Sequence, residues 1–317
     1  MSGAPAEAAD VLADLERRLD PAAPERTDGL TVVASGEVSA CLRVAGLPGL
    51  VCKRMSGFAD AAAADRYTTL VREYVAELGS AGVRVVETDL VPVERPGRAP
   101  VVHLLQPELP AETLGHRLLL TSDDDAVSDA VGRVLSTVLR LMTANQARSD
   151  GLEVAVDGQL SNWSFGTAEE DARPVLVDVG TPFLRRDGRH LIDIGWLESP
   201  IPPVVRAYYH RRALVAAYLD DYFDPRLVAV DLLGNFHKEG RPDRVPSGVD
   251  TVNRWLAAET GPLGPQVPVT VDEVERYYRS DAGLLALYLR LRRADRFLRT
   301  RVLRRPYDFV LPGPVHR

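Results

Sequence analysis

Apolar and polar positions along the chain follow two periodicities, and the change between them comes near residue 110. Up to that point the pattern is mostly that of strands. TVVAS and SACLRVA are two β-rich runs separated by Gly36; the turn LPG then leads into LVCKRM, and together they predict a three-stranded antiparallel meander. From Ala61 to Leu78 the period lengthens. Tyr67, Leu70, Val71, Tyr74, Val75 and Leu78 share one face of a helix that Gly79 and Gly82 end, with Glu73 and Glu77 along its edge. VRVVETDLVPV and APVVHLLQ, separated by the loop ERPGR, read as two more strands.

Beyond QPELP the helical period takes over. Val127, Val131, Val134, Leu135, Val138, Leu141 and Met142 mark a helix over residues 124–146. The stretch AVDGQLSNW follows, then the short apolar run WSFG, the charged loop TAEEDAR and the strand PVLVDVG. Helical stripes over 203–223 and 272–303 fill most of the rest, with Pro- and Gly-rich loops between them.

Composition narrows the function classes. The chain has 317 residues, 45% hydrophobic and 26% charged, which suits one large or two moderate globular domains. Its first two dozen residues lack the basic start and apolar run of a leader, and no apolar run is long enough to span a bilayer. A cytoplasmic protein that does not engage membrane is expected, with Cys41 and Cys52 as free thiols on neighbouring strands. A net charge of −7 argues against a nucleic-acid partner. The arginines from Arg290 to Arg305 form either a solvated helix face or a patch for an anionic substrate or partner.

Residue choice then singles out candidate chemistry. Of 38 basic residues only Lys53 and Lys238 are lysines, so a lysine here marks a place where arginine's wide fork does not serve. On this view Lys53→Arg should be costly, while Arg54→Lys, on the opposite strand face, should change little. Asparagine is also scarce, and Asn162 stands five residues after Asp157, directly before Trp163. An ordinary Asp-Gly turn is one reading of that stretch. The segment DLLGNFHKEGRPD holds the other lysine, with Asp231, Asn235, His237 and Glu239; it reads as a polar helix end or as part of a substrate wall.

In order along the chain, Lys53 in the third strand, Glu73 in the next helix, Asp157 and Asn162 at the spacing D-x-x-x-x-N, and Asp178 in VLVDVG resemble the protein-kinase superfamily, in its aminoglycoside phosphotransferase branch. CKRM, VREYVAEL, DGQLSNW and LVDVGTPF also resemble an uncharacterised bacterial family of kinase-like proteins. The resemblance implies an α+β, bilobal protein-kinase-like fold. It would have a small N-lobe over 29–107, with an antiparallel five-stranded sheet and one helix, behind an N-terminal extension or helix over 1–28. A larger, mainly helical C-lobe would occupy 108–317.

The resemblance further implies ATP or another NTP with Mg²⁺, and a small-molecule or peptide substrate. Lys53 would hold the phosphates, braced by Glu73 with Glu77 as fallback. Gly36 would let the backbone approach them, and Gln106, Glu108 and Leu109 belong to the segment that would receive adenine. Asn162 and Asp178 would hold the metal, and Asp157 would accept the substrate's proton. The pattern departs at Ala155, where a histidine is usual, at Val179, and in a glycine-poor phosphate loop. Those departures favour a second expectation, a catalytically weak or inactive pseudokinase that binds nucleotide, peptide or a partner in a biosynthetic pathway.

Overall fold

The computed structural model describes residues 4–36, 38–166, 173–201, 212–258, 264 and 266–311. It is a mixed α/β fold with a five-stranded antiparallel sheet followed by a mainly helical part. The sheet contains β1 (Leu30–Ser35), β2 (Ser39–Val44), β3 (Leu50–Met55), β5 (Asp89–Arg95) and β6 (Arg98–Pro107), in the order β1-β2-β3-β6-β5. The expected meander is there: Gly49, at φ +75°, makes the tight turn into β3, a conformation that costs glycine little.

Alternation along β2 and β3 sorts the sheet's two faces. Ala40, Leu42 and Cys52 point to one face and pack on Leu12, Leu15 and Leu19 from α1 (Ala4–Arg18) and the residue just after it. Residues 1–28, expected as an extension or helix, thus supply the helix that covers the back of the sheet. Cys41 and Lys53, cross-strand partners, lie on the opposite face with Met55. There α2 (Ala61–Ser80), capped by the Asp60 carboxylate on the Ala63 N–H, buries Tyr67, Val71, Tyr74 and Leu78 as the periodicity predicts.

Two expectations need correction. VRVVETDLVPV is not one strand: β4 (Arg84–Val85) leaves the main sheet and pairs parallel with β9 (Val175–Leu176), which also pairs with β8 (Trp163–Ser164). The apolar alternation runs through both pieces, so it could not reveal that their partners differ. Arg54 is the second. It shares the α1 face with Cys52, is 1% exposed, and grips Glu16 through Nε–Oε1 at 2.6 Å and Nη2–Oε2 at 3.0 Å. Its Nη1 also donates to Ser56 Oγ and to the Asp308 carbonyl, at 3.1 and 2.8 Å. Burial opposes the Glu16 charge, but Arg54 and a hydrogen bond with His103 outweigh it and hold the carboxyl well below the usual range.

The helical part is built around one buried helix, Pro225–Lys238. After α3 (Gly115–Thr121) comes α4 (Asp124–Gln146), with the expected limits and with Asp123 as its N-cap. Next comes a small sheet of β7 (Leu152–Val154), β10 (Leu184–Arg186) and β11 (Arg189–His190), then a short α5 (Ile194–Leu197). The stripe expected over 203–223 lies partly outside the described residues; its described portion includes α6 (Arg212–Asp220). α7 (Pro225–Lys238) is buried along most of its length and packs on α4, α8 (Val245–Ala258) and α9 (Val271–Phe297). Among the C-terminal arginines, Arg292 is fully buried and donates to Tyr307 Oη, so that group is not a purely solvated face. Among the described residues no helix is long and apolar enough to cross a membrane.

Candidate functional site

AVDGQLSNW folds into a compact loop between β7 and β8. Asp157 Oδ1 accepts from the Gln159 N–H at 2.8 Å, so the turn chemistry legible in Asp-Gly is real. The Trp163 indole, completely buried, donates to the Asp157 carbonyl at 3.0 Å and pins the loop from behind. Asn162 continues into the β8–β9 pairing, its carbonyl accepting from the Val177 N–H at 2.8 Å, which sets Asn162 beside the residue preceding Asp178. Two candidates sixteen residues apart in sequence are therefore neighbours in space. No other described group hydrogen-bonds the Asn162 side chain.

Asp178 repeats the same local device: Oδ1 accepts from the Gly180 N–H at 2.9 Å, and Oδ2 accepts from Lys53 Nζ at 2.5 Å. Lys53 is 15% exposed and Asp178 35%, which places the pair in a crevice with one side open. Burial opposes both charges; mutual attraction outweighs it, raising the Lys53 ammonium and lowering the Asp178 carboxyl relative to their ordinary values. A Cβ on Gly180 would stand 3.1 Å from Lys53 Nζ, so glycine lets the backbone lie against the pair. Asp157 is raised, first by burial and then by the charge of Asp231 on α7.

The brace for Lys53 is not the one expected. Glu73 meets Arg186 at 3.6 Å and Glu77 meets Arg148 at 2.7 Å, while Lys53 pairs with Asp178. The reason is rotation: neighbouring helix positions are about 100° apart, and the stripe Tyr67, Val71, Tyr74 and Leu78 claims the inward face. Two tyrosines occupy the place an acid was expected to fill. Tyr67 Oη donates to the Gly180 carbonyl and Tyr74 Oη to the Ala155 carbonyl, both at 2.8 Å. α2 thereby holds the Asp178 and Asp157 loops directly, and Ala155, noted in the sequence as a departure from the usual histidine, is anchored through its backbone. A hydroxyl on an apolar stripe was the sequence signal for this role.

Other expected residues are more dispersed. Gly36 closes the β1–β2 turn, its N–H donating to the Ser39 carbonyl at 2.9 Å; Glu37, next to it, is outside the described residues. Gln106 turns its side chain inward, donating from Nε2 to Thr88 Oγ1 at 3.0 Å and to the Val177 carbonyl at 2.8 Å, and so ties β6 to the residue before Asp178. Glu108 faces outward to Arg43, and its N–H already donates to the Gly49 carbonyl. Leu109 is half-buried beside it.

The segment read as a polar helix end is mostly interior. Asp231 and Asn235 are buried in α7, His237 stacks on Tyr278, and Lys238 pairs with Asp281 at 3.0 Å. Two hollows of about 390 and 480 Å³ flank the β1–β2 hairpin, one against α1 and one beside Glu108. Neither contains the convergent charges, so the candidate site is the crevice of Lys53, Asp157, Asn162 and Asp178.

Residues 14–296 match a family described as a family of unknown function, DUF6206. The chain belongs to that family. No curated protein matches it. A solved structure of WaaP in complex with acyl carrier protein shares 13% identity, covering 89% of this chain and 90% of that one at a TM-score of 0.33, an overlap too loose to bear on function. The crevice itself is what a functional reading of this DUF6206 member has to rest on.

Proposed function

We propose that the chain is a kinase-like, Mg·ATP-dependent phosphotransferase that phosphorylates a hydroxyl or amine of a small metabolite or peptide. The observation that carries this reading is the ion pair between a lysine from β3 and an aspartate after β9, with Asp157 facing it and Asn162 set next to Asp178 through its backbone. In phosphoryl transfer the protein's work is positioning and charge neutralisation rather than covalent chemistry. An ammonium already aligned by Asp178 has further N–H donors for phosphate oxygens.

Asp178 and Asn162 offer a carboxylate and an amide oxygen, the hard donors Mg²⁺ prefers. Among the described residues there is no group of three acidic, His or Cys side chains able to hold a metal alone, and that fits a cation completed by phosphate and water. Bound there, Mg²⁺ would neutralise charge on the phosphates. Asp157 would take the proton of the acceptor as the acceptor's oxygen or nitrogen bonds to the terminal phosphorus and the bond to the departing nucleoside diphosphate breaks. A raised proton affinity suits a group that must accept a proton near neutral pH.

One observation favours the second reading, a nucleotide-binding module without turnover: Ala155 contributes only backbone groups at a position where a histidine side chain is usual in the pattern the chain resembles. Phosphorus NMR of the protein with Mg·ATP and a panel of acceptors separates the two. A phosphorylated product that disappears in Asp157→Asn supports the enzyme. Turnover unchanged in that variant removes Asp157 from the mechanism, and binding without product across the panel favours the module.

A further inference from the structure

A second carboxylate lies beneath Asp157. Asp231, in the middle of α7, is 5% exposed, a place where an unsatisfied charge is costly. Both its oxygens are occupied: Tyr277 Oη donates to Oδ1 at 2.7 Å and Gln159 Nε2 to Oδ2 at 3.0 Å. Gln159 is also the residue whose backbone N–H holds Asp157 Oδ1. One residue thus joins two carboxylates from two elements. Closed to solvent and with both oxygens taken, Asp231 has nothing left to offer a substrate; its influence must pass through its charge and through Gln159.

The surrounding charges make that influence large. Asp157 faces Asp231 and Lys238 of α7, Asp178 beyond β9 and Lys53 of β3, with the neutral hydroxyls of Tyr74 and Tyr222 nearby. Asp231 also faces Lys238 of its own helix, Asp281 and Tyr277 of α9, and Asp221. Both cations are already engaged, Lys53 with Asp178 at 2.5 Å and Lys238 with Asp281 at 3.0 Å. What remains, among the described residues, is a pair of carboxylates bridged by Gln159 and without an ion pair of its own. Such a pair favours one shared proton, because the second ionisation meets the charge left by the first. Among the described residues two side-chain donors aim at Asp231, while Asp157 receives one backbone N–H, so the charge settles on Asp231.

We infer that Asp231 is a positioning residue for Asp157, orienting its carboxyl through Gln159 and, by the charge that Tyr277 and Gln159 stabilise, making the ionised Asp157 a stronger proton acceptor. The inference rests on the reading of Asp157 as the base. It is tested without turnover, by titrating side-chain carboxyls in protein labelled with ¹³C-aspartate, free of metal and nucleotide, with Asp157 assigned through Asp157→Asn. In the native protein the Asp157 midpoint should lie above the ordinary aspartate range. In Asp231→Asn it should fall by about one pH unit or more, the size of shift a close like charge produces. Tyr277→Phe keeps both carboxylates but removes a donor from Asp231, and should move the Asp157 midpoint down and that of Asp231 up; it decides the matter should Asp231→Asn not fold. An Asp157 midpoint that stays in place in the folded variants overturns the inference and leaves Asp231 as scaffold. Because no acceptor is involved, failure to find turnover counts against the phosphotransferase and leaves this result standing on its own.

Discussion

Replacing Arg54 by lysine, in a protein that almost everywhere prefers arginine, should be one of its more damaging single changes. The Arg54 guanidinium makes four contacts from an almost sealed position: two to Glu16, one to Ser56 and one to the Asp308 carbonyl. An ammonium has three donors on one atom and no fork, so it cannot hold both Glu16 oxygens and still reach Ser56 and the C-terminal segment. Losing one buried hydrogen bond to a charged group costs about 1.5–3 kcal/mol. With strain in the remaining contacts, about 2–3 kcal/mol is expected. At about 2–4 °C per kcal/mol for chains somewhat shorter than this one, the melting temperature should drop by roughly 5–10 °C.

Arg54→Met, which leaves Glu16 buried without its main partner, should cost about 3–5 kcal/mol. The sign of the pH dependence follows from Glu16, whose carboxyl is held below its unfolded value. Its stabilisation is present above the ordinary carboxylate range and is lost as pH falls toward the depressed folded value. Circular-dichroism melts at pH 7 and in acid would show both effects, the gap between native and variant narrowing in acid. Arg54→Lys melting within about 1 °C of the native protein at pH 7 would refute the idea that this fork ties α1 and the C-terminal segment to the sheet.

Three further outcomes are expected. Lys53→Arg should melt close to the native protein but bind Mg·ATP far more weakly, because the wider group displaces the phosphate contact by about an ångström; equal affinity by calorimetry would return Lys53 to a structural role. Cys41, cross-strand from Lys53 and only partly buried, should be alkylated slowly at alkaline pH, since burial raises its thiol, and Mg·ATP should protect it while fully buried Cys52 stays unreactive; labelling indifferent to nucleotide would remove β2 from the binding face. Asp157→Asn should stabilise the fold at neutral and alkaline pH. The native carboxyl's raised folded value means its favourable contribution is present below the ordinary aspartate range and is lost as pH rises through that raised value, so a melt no higher for the variant at pH 8 would contradict its raised proton affinity.

The legible parts of the molecule were those written in local periodicity. The meander, α2, α4 and the two-period division of the chain follow from side-chain spacing; Lys53 and Asn162 stood out as rare residue types, and Asp157 and Asp178 were singled out by their spacing and order in the chain. Parts that depend on distant partners were not legible. Whether Glu73 or Tyr74 faces inward is a matter of helix rotation, fixed by packing against loops about eighty and more residues away. The break between β4 and β5 depends on β9, a strand some ninety residues further on. Asp231 looked like the polar end of a helix because nothing near it in sequence announces Tyr277 or Gln159.

The central claim is that the crevice of Lys53, Asn162 and Asp178 binds a metal-complexed nucleotide. Isothermal titration of the full chain with ATP, with and without Mg²⁺, tests it most directly. Saturable one-to-one binding that requires Mg²⁺ and is lost in Asp178→Ala, with the variant still folded, is the predicted result. A flat titration at millimolar nucleotide, or binding that survives Asp178→Ala unchanged, would contradict it.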